Sequence, residues 1–184
     1  FEYRVLCISN KVHILSPELW RLNVWKDLEK AKYDLLHAKQ SAVPKALPVF
    51  DHLKTVNWLN ERKFSDEFVE LRFPLNTNST TDRVTLQIFP RADGGETPEQ
   101  VDDVESVFRK TLVKLRSNPK NVCWFWVHPT GVAAYHAGRE QCGRYGIPAG
   151  WEFYNATSYA EVLPQLVVSR FKELPPPPPP PPPP

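Results

Sequence analysis

The sequence predicts an α+β fold of the α/β-sandwich type, in which helices pack on a mixed sheet with a C-terminal βαβ unit. Residues 68–73 and 83–89 alternate apolar and polar side chains, as half-buried strands do. Residues 16–40 and 97–115 are amphipathic and begin with helix-capping residues. Residues 122–127 are continuously apolar and precede a further helix and strand, which is the order of a βαβ unit.

The composition predicts one domain followed by a tail. Of the 184 residues, 41% are hydrophobic, which is ordinary for a chain with a single packed core. We therefore expect a single α+β domain over residues 1–174. Residues 1–65 are expected to supply a strand hairpin and a helical segment, and residues 66–174 the sheet core with the βαβ unit. Residues 175–184 are all proline and are expected to form a polyproline tail outside the core.

The first half of the chain predicts a hairpin and two helices. Short apolar runs flank the polar connection Ser9-Asn10-Lys11, which is typical of a β-hairpin over residues 3–15. An N-cap serine followed by a proline predicts an amphipathic helix from Ser16 to about residue 40. A second, weaker helix is predicted over residues 50–62.

The clearest local motif is Thr97-Pro98-Glu99-Gln100, which follows two strands that are predicted to be antiparallel neighbours. The Thr97 side chain can accept a hydrogen bond from the Gln100 N–H, while the Gln100 side chain reaches back to the Thr97 N–H. A helix is therefore predicted to begin here and to continue without a break. Its buried stripe is expected to comprise Val101, Val104, Phe108, Leu112 and Leu115.

The last part of the chain predicts the βαβ unit. Residues 122–127 form its central strand, residues 132–145 its helix, which Gly146 closes, and residues 149–154 a second, parallel strand. Residues 158–161 resemble another capping box, which predicts a last short helix. The aromatic residues of this region are expected to fill the core: Trp124, Trp126, Trp151, Phe153 and Tyr154.

Charge and composition disfavour several classes of function. The net charge is only +2, so no nucleic-acid partner is predicted. No run of about 18 or more apolar residues occurs, so no membrane span is predicted in this chain. Three cysteines, Cys7, Cys123 and Cys142, lack metal-site spacing and are expected to be buried. The alternative for Cys123, on the apolar strand, and Cys142, on the helix that follows, is that they face each other across this layer and oxidise to a disulfide.

The best candidate site lies where the apolar strand ends. His128 follows the carboxyl end of that strand, which is where open α/β sheets place ligand sites. Tyr135, His136 and Arg139 lie on the helix beyond, and with His128 they form the predicted set of binding residues. No catalytic residue, metal site or cofactor is predicted, because no third metal ligand or nucleophile has a credible spacing. The alternative is a metal-binding or hydrolytic enzyme that uses His128 and His136.

The proline tail suggests a further alternative. Ten consecutive prolines favour a polyproline II helix of about 3.1 Å per residue. Such a segment is either a spacer or a ligand for an aromatic groove of the SH3, WW or EVH1 kind. In the second case the chain is an adaptor whose tail docks a partner.

Several segments between Glu70 and Trp151, or directly beside them, form a combination found in a known family. They are Gly94–Gln100, Ser106–Leu112, Trp124–Pro129, Tyr135, Arg139 and Gly146–Glu152. This combination resembles that of uncharacterised planctomycete proteins, and the resemblance covers about Glu70 to Trp151. In that family an N-terminal transmembrane helix and a coiled coil precede a domain of this pattern, in a layout similar to the ExbD/TolR partners of MotA/TolQ/ExbB-type proton channels. The proline tail is not a feature of the family.

The resemblance implies a periplasmic or envelope-associated domain, with the cytoplasm as the alternative location. The leading hypothesis is a non-catalytic structural or interaction domain in a bacterial envelope or a large multiprotein assembly. Its expected partners are proteins, either MotA/TolQ/ExbB-type membrane proteins or further copies of the same chain.

Overall fold

The computed structural model describes residues 2–15, 23–37, 48–78 and 80–172, and it has the predicted α+β fold. Seven strands form one mixed and one antiparallel sheet, with helices packed on them. The strands are β1 (Glu2–Ile8), β2 (Lys11–Leu15), β3 (Val69–Arg72), β4 (Arg83–Pro90), β5 (Val122–Val127), β6 (Ala149–Phe153) and β7 (Tyr159–Val167). The helices are α1 (Trp25–Leu35), α2 (His52–Glu61), α3 (Pro98–Asp102), α4 (Val107–Leu115) and α5 (Val132–Tyr145).

The mixed sheet has the strand order β2-β1-β5-β6. The predicted hairpin is confirmed, since β1 and β2 are antiparallel and Ser9 and Asn10 take the positive φ angles of a tight two-residue turn. The predicted βαβ unit is also confirmed, because β6 lies parallel to β5. β5 pairs with β1 on its other side, so it is an interior strand, as expected.

The second sheet has the order β3-β4-β7, and β3 and β4 are antiparallel as predicted. It lies against one face of the mixed sheet. Trp126 of β5 stacks on Tyr159 of β7 at 4.2 Å between ring centroids. His13 of β2 reaches the Phe68 carbonyl at 3.0 Å. These contacts join the two sheets.

The other face of the mixed sheet is covered by helices. Phe125 of β5 meets Phe108 of α4 and Tyr135 of α5 edge to face, with centroids 6.2 and 5.5 Å apart. α5 ends at Gly146, whose φ of 69° gives the predicted left-handed cap. The hydrophobic core of the domain therefore has two parts. One lies between the helices and the mixed sheet, and the other lies between the mixed sheet and the second sheet.

The first helix ends earlier than predicted. α1 ends at Leu35, because Leu36 is extended and forms a bridge with Phe50. The predicted start at Ser16 and the predicted end near residue 40 lie outside the described residues. The second predicted helix is confirmed as α2, and its N-cap, Asp51, accepts from the Lys54 N–H at 2.9 Å.

The prediction of one continuous helix after Thr97 is wrong. Its capping box is present, but α3 ends at Asp102 and α4 begins after a second N-cap, Ser106. Val104, which was expected in the buried stripe, is 71% exposed. The Glu96 carboxylate accepts from the first N–H groups of α4, which fixes a new helix start at this point.

The predicted last helix is also wrong, because residues 159–167 form strand β7. The capping pattern at residues 158–161 is local, whereas pairing with β4 is supplied by the rest of the fold. Leu163 and Leu166 are buried in that strand. The proline tail, residues 175–184, lies outside the described residues.

Candidate functional site

Three of the four predicted binding residues lie near one another on α5. Tyr135 and His136 precede Arg139 by four and three residues, which are the steps that bring side chains of a helix together. The Tyr135 ring is buried against the sheet, and its hydroxyl accepts from Nη1 of Arg139 at 3.0 Å. His136 contacts the Tyr135 ring, with centroids 5.3 Å apart. The structure therefore brings these three residues together.

The fourth predicted residue, His128, serves the turn before α5. Its Nδ1 accepts from the Thr130 N–H at 3.2 Å and lies 2.8 Å from the Thr130 hydroxyl. The His128 N–H donates to the Cys7 carbonyl at 2.9 Å, which ties the turn to β1. His128 and His136 thus have separate partners. In the part of the chain that the structure describes, no group of three or more His, Cys, Asp or Glu side chains could hold a metal ion.

Two aromatic residues of β6 extend the site. The Trp151 ring lies 5.6 Å from Tyr135, and the Phe153 ring stands perpendicular to Trp151 at 5.1 Å. We call His136, Tyr135, Trp151 and Phe153 the aromatic cluster. Trp151 is 43% exposed and Phe153 67% exposed, so the prediction that both fill the core is wrong.

Their exposure follows from the position of β6 at the edge of the mixed sheet. Trp151 pairs with Phe125 and Phe153 with Val127, so both side chains project from the face that carries the helices. Tyr135 of α5 covers part of Trp151, whereas Phe153, further along β6, stays mostly exposed. The sequence did not show this, because the position of β6 at the edge depends on which other strands pair in the mixed sheet, and those lie elsewhere in the chain.

The backbone of β6 also has an open side. The Pro148 carbonyl accepts from Cys123 at 2.9 Å, and the Tyr154 N–H donates to Val127 at 3.0 Å. Alternate residues of a parallel strand turn both backbone groups toward the same neighbour. The N–H and C=O groups of Trp151 and Phe153 therefore point away from β5, and no strand among the described residues pairs with them.

The opposite face of the same strands is closed. Glu152 accepts from both indole N–H groups, at 3.3 Å from Trp124 and also from Trp126. Arg4 donates to the Tyr159 hydroxyl at 2.6 Å and lies 5.2 Å from the Trp126 ring. Burial raises the pKa of Tyr159, which keeps its phenol neutral. These polar groups satisfy one another and join the two sheets.

The three cysteines are buried free thiols. Cys123 and Cys142 face each other, since Cys142 is hydrogen-bonded to Cys123. This hydrogen bond and burial raise the pKa of Cys142 far above its ordinary value, and burial alone does the same for Cys7. Neutral buried thiols are poor nucleophiles.

A groove that was not foreseen lies elsewhere. It has a volume of about 750 Å³ and runs between the end of α2 and the β3–β4 hairpin. Two of its three cations have partners, since Arg91 pairs with Asp93 at 2.7 Å and the Arg72 guanidinium lies 4.3 Å over the Phe89 ring.

None of the helices in the described ranges has the length and apolar character needed to cross a bilayer.

Comparisons of the chain with protein-family models, curated proteins and solved structures found no match. The likeness to planctomycete envelope proteins therefore stays a prediction from the sequence.

Proposed function

We propose that this chain is a non-catalytic interaction domain whose contact surface is the aromatic cluster and the open edge of β6. The main support is that Trp151 and Phe153 lie exposed side by side on a strand whose outer edge pairs with no other strand of the described ranges. Exposed apolar patches on folded proteins usually mark contact surfaces. Open strand edges are normally shielded unless they bind something. A partner on β6 would satisfy both features at once.

The reactive residue types support the non-catalytic part of the proposal. His128 caps a turn, Glu152 accepts from two indoles, and the Cys142 thiol is held neutral beside Cys123. Each of these groups is occupied in holding the fold. Membership of a bacterial envelope or large assembly, with MotA/TolQ/ExbB-type proteins as partners, is the part of the proposal that depends on the sequence resemblance alone.

Site-specific cross-linking in the source cells tests this function. A photo-reactive phenylalanine analogue replaces Phe153, and in a matched control it replaces Val113, which is 56% exposed on α4. We expect Phe153 to yield a discrete cross-linked protein after irradiation and Val113 to yield none. Equal yields at the two positions, or no product at Phe153, would contradict the proposal.

A further inference from the structure

The aromatic cluster and the proline tail of this chain are chemically complementary. Ten consecutive prolines carry carbonyl acceptors and apolar rings but no backbone N–H donor. The cluster offers the reverse, with exposed ring faces and the outward N–H groups of Trp151 and Phe153. Aromatic-lined surfaces bind polyproline helices in this way, because the ligand is already ordered before it binds.

The dimensions agree with this complementarity. Successive rings of the cluster lie 5.3, 5.6 and 5.1 Å apart. One turn of a polyproline II helix is about 9 Å long, so a single turn can cover the exposed rings of Trp151 and Phe153, which lie 5.1 Å apart. Ten prolines extend over about 30 Å, enough to pass along the whole cluster. The charges also agree, because Arg139 is an exposed cation next to Tyr135 and the sequence has an acidic residue, Glu173, two positions before the first proline.

We propose that the aromatic cluster binds the decaproline segment, Pro175–Pro184, of a second copy of this chain. This inference rests on the proposed function, since it assigns an occupant to the same surface. Each copy would then present a ligand at one place and a receptor at another.

A second copy is favoured over the same chain by the layers of the fold. Trp151 and Phe153 project from the face of the mixed sheet that carries α5. β7, which leads to the tail, begins on the opposite face, where Tyr159 stacks on Trp126. Reaching its own cluster would require a stiff proline rod to pass around the edge of the sheet. Binding of the tail of one copy to the cluster of another has no such constraint. The fraction of associated chains then rises with the protein concentration.

Peptide binding to the full chain tests the inference. The probe is a fluorescent peptide with the sequence of residues 173–184, and its anisotropy is measured as the full chain is added. We expect saturable binding to the wild type that is weakened about tenfold by Trp151→Ala, because a central aromatic residue commonly dominates such contacts. Phe153→Ala should also weaken binding of the peptide. An excess of unlabelled peptide should also reduce the self-association of the full chain in sedimentation experiments.

Matched controls separate this effect from misfolding. Tyr33→Ala removes an aromatic side chain that is 86% exposed on α1, and it should leave peptide affinity unchanged. Phe153 is itself mostly exposed, so its replacement should not alter the melting temperature. A peptide with glycine and serine in place of the prolines should not bind. No saturable binding to the wild type, or equal affinity of Trp151→Ala, Phe153→Ala and wild type, would overturn the inference. A cross-link from position 153 to a different protein would then leave the proposed function standing.

Discussion

A single buried histidine connects the hairpin to two other parts of the fold. The His13 side chain is only 2% exposed, and its Nδ1 lies 3.0 Å from the Phe68 carbonyl, to which it donates when it carries the proton. Its ring packs against Gly95, where a Cβ atom would lie 2.6 Å from the ring and where φ is +78°. Only glycine fits both the backbone angle and this close approach. His13 was not singled out by the sequence, because the packing depends on residues far along the chain.

This burial predicts that acid destabilises the domain. Burial lowers the pKa values of His13 and His52 from the ordinary value of 6.5, so the unfolded chain takes up protons first as the pH falls. The free energy of unfolding should therefore be highest above pH 6.5 and decrease as the pH falls below it. Denaturant unfolding between pH 8 and about pH 5 measures this dependence.

Two variants identify the histidine that is responsible. His13→Gln should lower stability at every pH but weaken the pH dependence. His52→Gln replaces the other buried histidine, and comparing the pH dependence of the two variants shows which imidazole contributes more. A wild-type stability that stays flat over this range would show that burial does not govern these imidazoles.

At the scale of elements, the break between α3 and α4 shows what a local pattern can and cannot predict. The start at Thr97 was predicted because its capping box lies within four residues, and both of its hydrogen bonds are present. The second start, at Ser106, depends on Glu96, which reaches across from ten residues earlier. Helical periodicity alone continues through this region, so it could not reveal the break.

The break predicts a specific effect of Glu96→Gln. The Glu96 carboxylate accepts from the N–H groups of Val107 at 2.6 Å and Phe108 at 3.0 Å, and from the Ser106 hydroxyl at 2.8 Å. Hydrogen bonds to a charged acceptor at a helix N-terminus are stronger than neutral ones. Glu96→Gln should therefore lower the free energy of unfolding by about 1–2 kcal/mol, measured by urea denaturation. Glu29→Gln, on the exposed face of α1, should change it by less than about 0.5 kcal/mol. Equal midpoints for the two variants would show that the carboxylate does not hold this helix.

Strands show the same division between local and distant causes. β3, β4 and β5 were predicted because alternation or a continuous apolar run lies within each segment. The segment of β7 was predicted to begin a helix because Ser158 and Glu161 resemble a capping box. It is a strand because it pairs with β4. The exposure of Trp151 and Phe153 also depends on strand pairing, because β6 lies at the edge of its sheet. If β7 had paired with β6, both residues would lie in an interior strand.

At the scale of the whole molecule, the cysteines mark the point where the chain is most deeply packed. Cys7 lies on β1, Cys123 on the neighbouring β5, and Cys142 on α5 above them, and each is 0% exposed. These elements come from the two ends of the sequence. A reagent can therefore reach the thiols only when the parallel pairing of β1 with β5 separates from the helix layer.

This placement predicts that thiol reactivity reports global unfolding. Because the pKa values of Cys7 and Cys142 are raised, raising the pH from 7 to 9 should not make the native thiols reactive. An aromatic disulfide reagent should modify all three cysteines at once in denaturant. In native buffer it should modify them at least about a thousandfold more slowly, because a domain stable by 5 kcal/mol or more is rarely open. Addition of sub-denaturing urea should accelerate the three reactions together. Fast native modification of one cysteine alone would mean that α5 opens separately from the sheet, and the domain would then not behave as one cooperative unit.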